Sequence, residues 1–454
     1  MRSNGLLGIG LWWLALAGGM PWACGGSPGG SDAAPEVAVD VVSESGPEAV
    51  APDTVDAVAD TIEALPFPPA GPDAVPDPMA FGPFPVGVRT YDLYDDSRPN
   101  EATGKGRWLR TEVWYPAVQA AREQAFAVVS LKTEAQGIEL GDKADLILNA
   151  DVPDIPTAAH RDATLDRAHG PYPVLLFSHG ANGIRWQSVF YTVLLASHGY
   201  VVISPDHENN TLWDILISGV SMASIGESIP ARILDMRFLL DTLLGWSADP
   251  THPLYRSSDP ERVGATGHSL GGVTSTGLAC ADPRVKTVVL HSPQILAGLA
   301  AGHCLGKPYP VASLTMGGTL DETLKYCGQY CDYRSRFEGD QPRYLFELVG
   351  GGHFTFSDVC LLDLVDIAEK LELGTAATHI LNDGCGPDNV PYTEAHDAIN
   401  YYATAFFNWQ LRGSTGSRDL LIDLGDPPFG HVNFYEGDVP DFWGEGGCAS
   451  CKQF

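Results

Sequence analysis

The chain has 454 residues, 44% hydrophobic and 19% charged, enough to bury the core of one large domain and carry a tail. Its 27 basic against 57 acidic residues give a formal charge of −30. Such a charge repels phosphate backbones and anionic lipid surfaces at long range, which argues against nucleic-acid partners.

Arg2 followed by the apolar run Leu6 to Met20 has the pattern of an export signal, too short to span a bilayer comfortably. The segment Pro21-Trp22-Ala23-Cys24-Gly25 resembles a bacterial lipoprotein processing site, with Pro21 and Trp22 departing from it. Two readings therefore stand: residues 1–24 are a lipoprotein-type signal whose lipidated Cys24 tethers the protein to a membrane, or an ordinary signal is cleaved nearby. Either way we expect an exported protein, held in the cell envelope or released. Residues 25–80 hold 11 acidic residues, no Lys or Arg, and frequent Pro, Ala and Gly, the composition of a disordered tether. Of nine cysteines, eight remain besides Cys24, at 280, 304, 327, 331, 360, 385, 448 and 451. The even number suits disulfides in an oxidising compartment, with thiolate ligation of zinc through Cys327, Cys331, Cys448 and Cys451 as the competing reading.

The folded domain, 81–454, opens with Val86 to Tyr94 and Trp108 to Tyr115, which alternate apolar and polar residues around the turn-rich 95–100 and predict a β-hairpin. Residues 117–170 lack a clear period and read as an insertion with some helix. Short apolar runs follow at Val174 to Phe177, Val201 to Ser204, Val263 to Thr266, Val285 to Leu290, Val311 to Met316 and Tyr344 to Val349. Runs of this length predict buried parallel strands. Helical spacing appears at Trp186 to His198, Ile229 to Leu244, Ser269 to Ala279, Val359 to Leu373 and Thr393 to Leu411. Alternating strands and helices imply a mostly parallel, doubly wound α/β sheet, preceded here by the antiparallel hairpin and followed by a Gly-rich, disulfide-bearing tail.

Gly267-His268-Ser269-Leu270-Gly271 stands between a predicted strand and a predicted helix, the context of a nucleophile elbow. The glycines permit the tight turn, and the helix N-terminus faces developing negative charge. A serine hydroxyl needs a base. Among 13 histidines, His353 follows a predicted strand through Gly350-Gly351-Gly352, and Asp321 follows another through Gly317-Gly318. The order Ser269, Asp321, His353 is that of α/β-hydrolases, with Glu322, Asp332 and Asp340 as competing acids and His268, His379, His396 and His431 better suited to structure. Oxyanion donors are expected at the backbone of Leu270 and, from the Gly-rich loop after Phe177, of Ala181.

With these pieces in place, the chain resembles the bacterial relatives of platelet-activating-factor acetylhydrolase, α/β-hydrolases also related to dienelactone hydrolases and, more distantly, to polyester-degrading cutinases. The resemblance runs from about Phe81 to Gly413 and rests on 82–89, 112–116, 177–183, 196–202, the elbow, and Gly352-His353-Phe354 with Phe356. It implies the triad Ser269, Asp321 and His353, oxyanion positions Ala181 and Leu270, and no cofactor or metal. The expected activity is hydrolysis of neutral or zwitterionic carboxylic esters through an acyl-enzyme: short-chain, phospholipid acyl or acetyl, or polymer esters. A catalytically silent surface-displayed binding protein and a serine peptidase are the alternatives. Residues 118–169 and the Cys-rich end have no counterpart in the resemblance. Trp213, Ile215, Leu216, Ile217, Val220 and Met222 read either as an apolar wall over the site or as ordinary core, and Asp206-His207-Glu208 reads as a loop.

Overall fold

The computed structural model describes residues 75–437, apart from 101–103, 137, 139, 141–142, 219–221, 338, 363, 371, 373 and 423–427. All of these belong to one unit, 61–454. The signal segment with Cys24, the tether up to residue 74, and Cys448 and Cys451 lie outside the described residues. The last residue assigned to the tether is held against the body, the Ala80 carbonyl lying 2.9 Å from His198 Nε2, and in the domain just after it Gly82 N–H donates to Ser197 Oγ.

The strands are β1 (Val86–Pro99), β2 (Gly106–Pro116), β3 (Val128–Val129), β4 (Ile155–Pro156), β5 (Ala159–Arg161), β6 (Tyr172–Ser178), β7 (Val201–Pro205), β8 (Ser258–His268), β9 (Val285–His291), β10 (Ala312–Gly318), β11 (Arg343–Leu348) and β12 (Val432–Glu436). Among the described residues ten of them form one sheet, in the order β12-β11-β10-β9-β8-β6-β7-β2-β1-β5. The middle, from β7 through β6, β8, β9 and β10 to β11, is parallel, so the C-terminal ends of these strands share one edge. β1 and β2 form the expected antiparallel hairpin, with Val88 opposite Trp114.

The apolar runs become central strands because both faces are covered. In β6 Leu175 and Phe177 join a core with the helices Val189–Ser197 and Tyr392–Arg412, while Val174 and Leu176 join a core with Met222–Ala248 and Leu270–Ala281. Successive strand residues thus feed opposite layers.

Three segments depart from expectation. The turn-rich 95–99 is strand: Asp95 accepts from Ser97 N and Oγ, and Arg98 pairs with both Asp95 and buried Asp235, so tertiary ion pairs hold what local composition marked as a turn. The reversal falls later, where Gly104 at φ +66° donates its N–H to the Asn100 carbonyl. Val359 to Leu373 is two short helices, Val359–Leu362 and Leu364–Lys370. The tail contributes a helix, Thr415–Ile422, and the antiparallel edge strand β12 against β11. Among the described residues the insertion holds the 3-10 turn Gln119–Glu123, the β3–β4 ladder and two short α-helices, then returns as β5 beside β1, and the ion pair of buried Arg185 with half-buried Glu134 pins it to the body.

Candidate active site

The elbow forms at the end of β8. Ser269 sits at φ 56°, ψ −117°, a backbone that L side chains rarely adopt, between strand and helix. Such strain, of order 1–3 kcal/mol, persists only where neighbours impose it. They do so here: Ser269 N–H donates to the His291 carbonyl at 2.7 Å, and a side chain at Gly271 would meet the Ser178 carbonyl oxygen at 1.8 Å. Gly267 is as constrained, with the same oxygen 2.5 Å from a Cβ placed there. These glycines let β6 and the elbow touch backbone to backbone, and Ser269 is left 8% exposed.

Asp321 and His353 come together from the ends of β10 and β11. His353 Nδ1 lies 2.9 Å from Asp321 Oδ2. Asp321 also accepts from Leu324 N at 2.7 Å and Gln329 Nε2 at 2.8 Å, so its carboxylate is oriented from three sides. Burial disfavours the charged imidazolium of His353, but the charge and hydrogen bond of Asp321, joined by the charge of Asp383, outweigh it and raise the pKa above the ordinary histidine value. Ser269 Oγ and His353 make no hydrogen bond among the described residues, a contact that in hydrolases often tightens only with substrate bound. The link between elbow and histidine runs instead through His268, whose ring lies 4.7 Å from that of His353 and whose Nε2 is 2.9 Å from the His353 carbonyl.

Leu270 opens the helix after Ser269, its N–H at the N-terminus. Ala181 lies in the turn after β6, next to Gly180, where a Cβ would come within 3.6 Å of Ser269 Cβ. Gln187 fixes this turn: its Oε1 accepts from Gly180 N at 3.0 Å and its amide nitrogen meets His268 Nδ1 at 2.7 Å. Burial keeps the His268 pKa well below the usual value, so the ring is neutral and relays a directed chain from Gly180 through Gln187 to the His353 carbonyl.

The other histidines go elsewhere. His396 stacks on Phe190 at 3.5 Å, His379 lies on the helix Thr375–Leu381, and His431 precedes β12. Of the competing acids, Asp332 accepts from Leu296 N and Glu322 pairs at the surface with Lys325.

The family model for platelet-activating factor acetylhydrolase, isoform II, matches residues 73–217. An Arthroderma benhamiae protein described as "Probable 1-alkyl-2-acetylglycerophosphocholine esterase" is 25% identical over 372 residues, 75% of this chain and 88% of that one. A ferulic acid esterase from Streptomyces cinnamoneus shares 23% identity and superposes with a TM-score of 0.57 over 78% of this chain and 96% of its own. This chain is an α/β-hydrolase of the carboxylic-ester hydrolase class.

The family match of this hydrolase includes the hairpin, β6 and Ala181, whereas Ser269, Asp321 and His353 lie beyond it. Asp206, His207 and Glu208 diverge: Asp206 binds Arg185, His207 binds Ser178 and Asp235, and Glu208 accepts from Asn100. Of the candidate wall, Trp213 is buried in the core with Ile215 packed against it, Ile217 is exposed, and the side chains of Leu216, Val220 and Met222 are outside the described residues. Two disulfides join Cys280 to Cys304 and Cys360 to Cys385, and Cys327 and Cys331 are disulfide-bonded as well.

Sequence reasoning missed Gln187, Asp383 and the buried relay Ser178–His207–Asp235. For Asp383 a signal existed, the turn-forming Asn382-Asp383-Gly384 ahead of Cys385. For the relay none did, since its members are far apart in the chain and each looks like ordinary core or surface chemistry.

Proposed function

We propose that the hydrolase cleaves carboxylic esters by a two-step acyl transfer in which Ser269 is the nucleophile, His353 the general base and Asp321 its supporting acid. Ser269 Oγ attacks the ester carbonyl while its proton passes to His353 Nε2. The oxyanion is held by the N–H groups of Leu270 and Ala181. The intermediate collapses as His353 protonates the leaving alcohol, and water releases the acyl group by the same route. Each oxyanion donor contributes about 3 kcal/mol of barrier lowering. The observation that carries this reading is the strained serine at the end of β8, whose chain neighbour His268 lies 4.7 Å ring to ring from a histidine already paired with a carboxylate at 2.9 Å.

We infer neutral or zwitterionic substrates, with the acetyl ester of a glycerophosphocholine first among them. The family match and the Arthroderma relative support that choice, and the net charge of −30 disfavours polyanions. We also infer export, with Cys24 as lipid acceptor, on the strength of the N-terminal sequence; intact mass of the membrane fraction, with and without Cys24→Ser, checks it. Hydrolysis of p-nitrophenyl esters, an acetylated glycerophosphocholine, a feruloyl ester and matched amides tests the activity. Turnover of esters over amides supports the reading. No ester turnover by the intact, disulfide-bonded protein sinks it in favour of a binding protein on a hydrolase fold.

A further inference from the structure

We propose that Asp383 is a positioning residue of the reaction, clamping the loop that carries Asp321 to the loop that carries His353, with the Cys360–Cys385 disulfide holding the clamp in place. The proposal rests on the reading of Ser269, Asp321 and His353 given above.

Asp383 belongs to neither loop. It lies just after the helix Thr375–Leu381 and is 7% exposed, yet both carboxylate oxygens are used. Oδ1 accepts from His353 N at 3.0 Å. Oδ2 accepts from Glu322 N at 3.0 Å, Thr323 N at 2.8 Å and Thr323 Oγ1 at 2.7 Å. One carboxylate thus grips the residue directly after Asp321 and the backbone of His353 itself. The Asp383 carbonyl adds a bond from Phe354 N at 2.7 Å.

The two loops also meet directly, through Leu320 N to the Gly351 carbonyl and Gly350 N to Thr319 Oγ1. Those bonds lie on the strand side of Asp321 and His353, whereas Asp383 closes the far side. Four donors thus converge on one buried carboxylate, leaving neither of its oxygens without a partner.

The fit is close. A Cβ at Gly352 would fall 2.4 Å from Gly384 N and 2.6 Å from Asp383 Oδ1, and Gly384 itself has φ +99°. A disulfide two residues beyond Asp383 joins this segment to Cys360, seven residues after His353. Besides that bond, the segment is attached through the Asp383 carboxylate, through Phe354 N and Thr355 Oγ1 donating to the Asp383 and Gly384 carbonyls, and through the Val390 and Asn389 contacts to the Gly350 carbonyl.

The charged and titratable groups facing His353 are Asp321, Asp383 and His268, the last of them neutral. Removing the Asp383 charge therefore leaves one carboxylate in place of two favouring the imidazolium.

The test uses the full chain with Asp383→Asn, Thr323→Val and Ser269→Ala, each checked for folding by circular dichroism and assayed on p-nitrophenyl acetate across pH. For Asp383→Asn we expect kcat lower by about 100-fold with KM nearly unchanged. The acidic limb of kcat/KM should move to lower pH by about half a unit or more. Thr323→Val removes one donor and keeps the charge, so kcat should fall by about 3- to 10-fold with the limb in place. Wild-type kcat and limb in folded Asp383→Asn overturn the proposal, provided Ser269→Ala is inactive. If Asp383→Asn does not fold, wild-type kcat in Thr323→Val overturns it. An active Ser269→Ala instead overturns the underlying reading, and the clamp with it.

Discussion

Among the described residues two histidine–aspartate pairs are fully buried, and the molecule uses them differently. In one region His207 Nδ1 lies 2.8 Å from Asp235, with Ser178 Oγ 2.9 Å from Nε2. In the other His353 Nδ1 lies 2.9 Å from Asp321, and its ring lies 4.7 Å from that of His268, the residue before Ser269. Around the first stand Arg107 and Arg98 on the Asp235 carboxylate, and Arg232 on Ser178 Oγ at 3.0 Å. Burial, reinforced by Arg232, depresses the His207 pKa to about 3 despite the pull of Asp235. Around the second stands Asp383, and the His353 pKa is raised. A histidine–carboxylate pair is therefore not a catalytic device by itself. Burial with cationic neighbours makes the first pair a neutral strut under the turn that carries Ala181, whereas the added carboxylate raises the histidine pKa in the second, the one proposed to act as base.

The largest expected contrast comes from breaking each pair. His353→Ala should lower kcat on p-nitrophenyl acetate by roughly 10⁴-fold or more and be the smaller of the two in its loss of stability, because Asp321 keeps its bonds from Leu324 N and Gln329. Asp235→Ala should do the reverse. It leaves Arg107, Arg98 and His207 buried around no anion, at about 3–5 kcal/mol of unfolding free energy, read from urea titration. Similar kcat losses in both variants, with similar stability, would erase the distinction between the two regions.

Ser178→Ala is a finer probe. It strips the hydroxyl shared by His207 and Arg232, so we expect about 1–2 kcal/mol of lost stability and a several-fold drop in kcat through a loosened oxyanion turn. A 10⁴-fold loss would instead assign the chemistry to the buried serine.

Titration separates the regions with the smallest signal. His353 must be neutral to act as base, so the acidic limb of kcat/KM should lie above the ordinary 6.5. His198, His207, His291 and His396, depressed by burial to about 4, 3, 3 and 3, stay neutral when folded. The unfolded chain binds those protons first, so stability falls as pH drops below about 6.5, by up to about 1.4 kcal/mol per unit for each. His353 works in the opposite sense, stabilising below 6.5 and losing that contribution as pH rises through its folded value. Thermal midpoints from pH 7.5 to 5 should decline; a flat profile would mean these rings take protons in the folded state.

Much of this organisation was legible in the chain. The central strands announced themselves because their runs are apolar on both faces, and the elbow did so because Gly267 and Gly271 sit where β6 leaves no room for a Cβ. Asp321 and His353 were reachable because each follows a strand through glycines. The strand at 95–99 was hidden because the Arg98–Asp235 ion pair that anchors it reaches a residue 137 positions away. β12 was hidden because Val432 to Glu436 carries too little apolar signal to stand out from a loop, and only pairing with β11 makes it a strand. Gln187 and Asp235 share a deeper reason: each acts through backbone N–H groups or distant side chains, which leave no local pattern, and for Asp383 the turn residues around it mark the segment but not its partners.

The central claim is that Ser269 forms the covalent intermediate. Incubation with a p-nitrophenyl alkylphosphonate, followed by intact mass and peptide mapping, reads it directly. The account predicts one equivalent of phosphonate on the peptide carrying Ser269, inactivation in step with labelling, and no adduct in Ser269→Ala. Stoichiometric labelling at another serine, or full ester turnover by a protein that stays unlabelled, would contradict it.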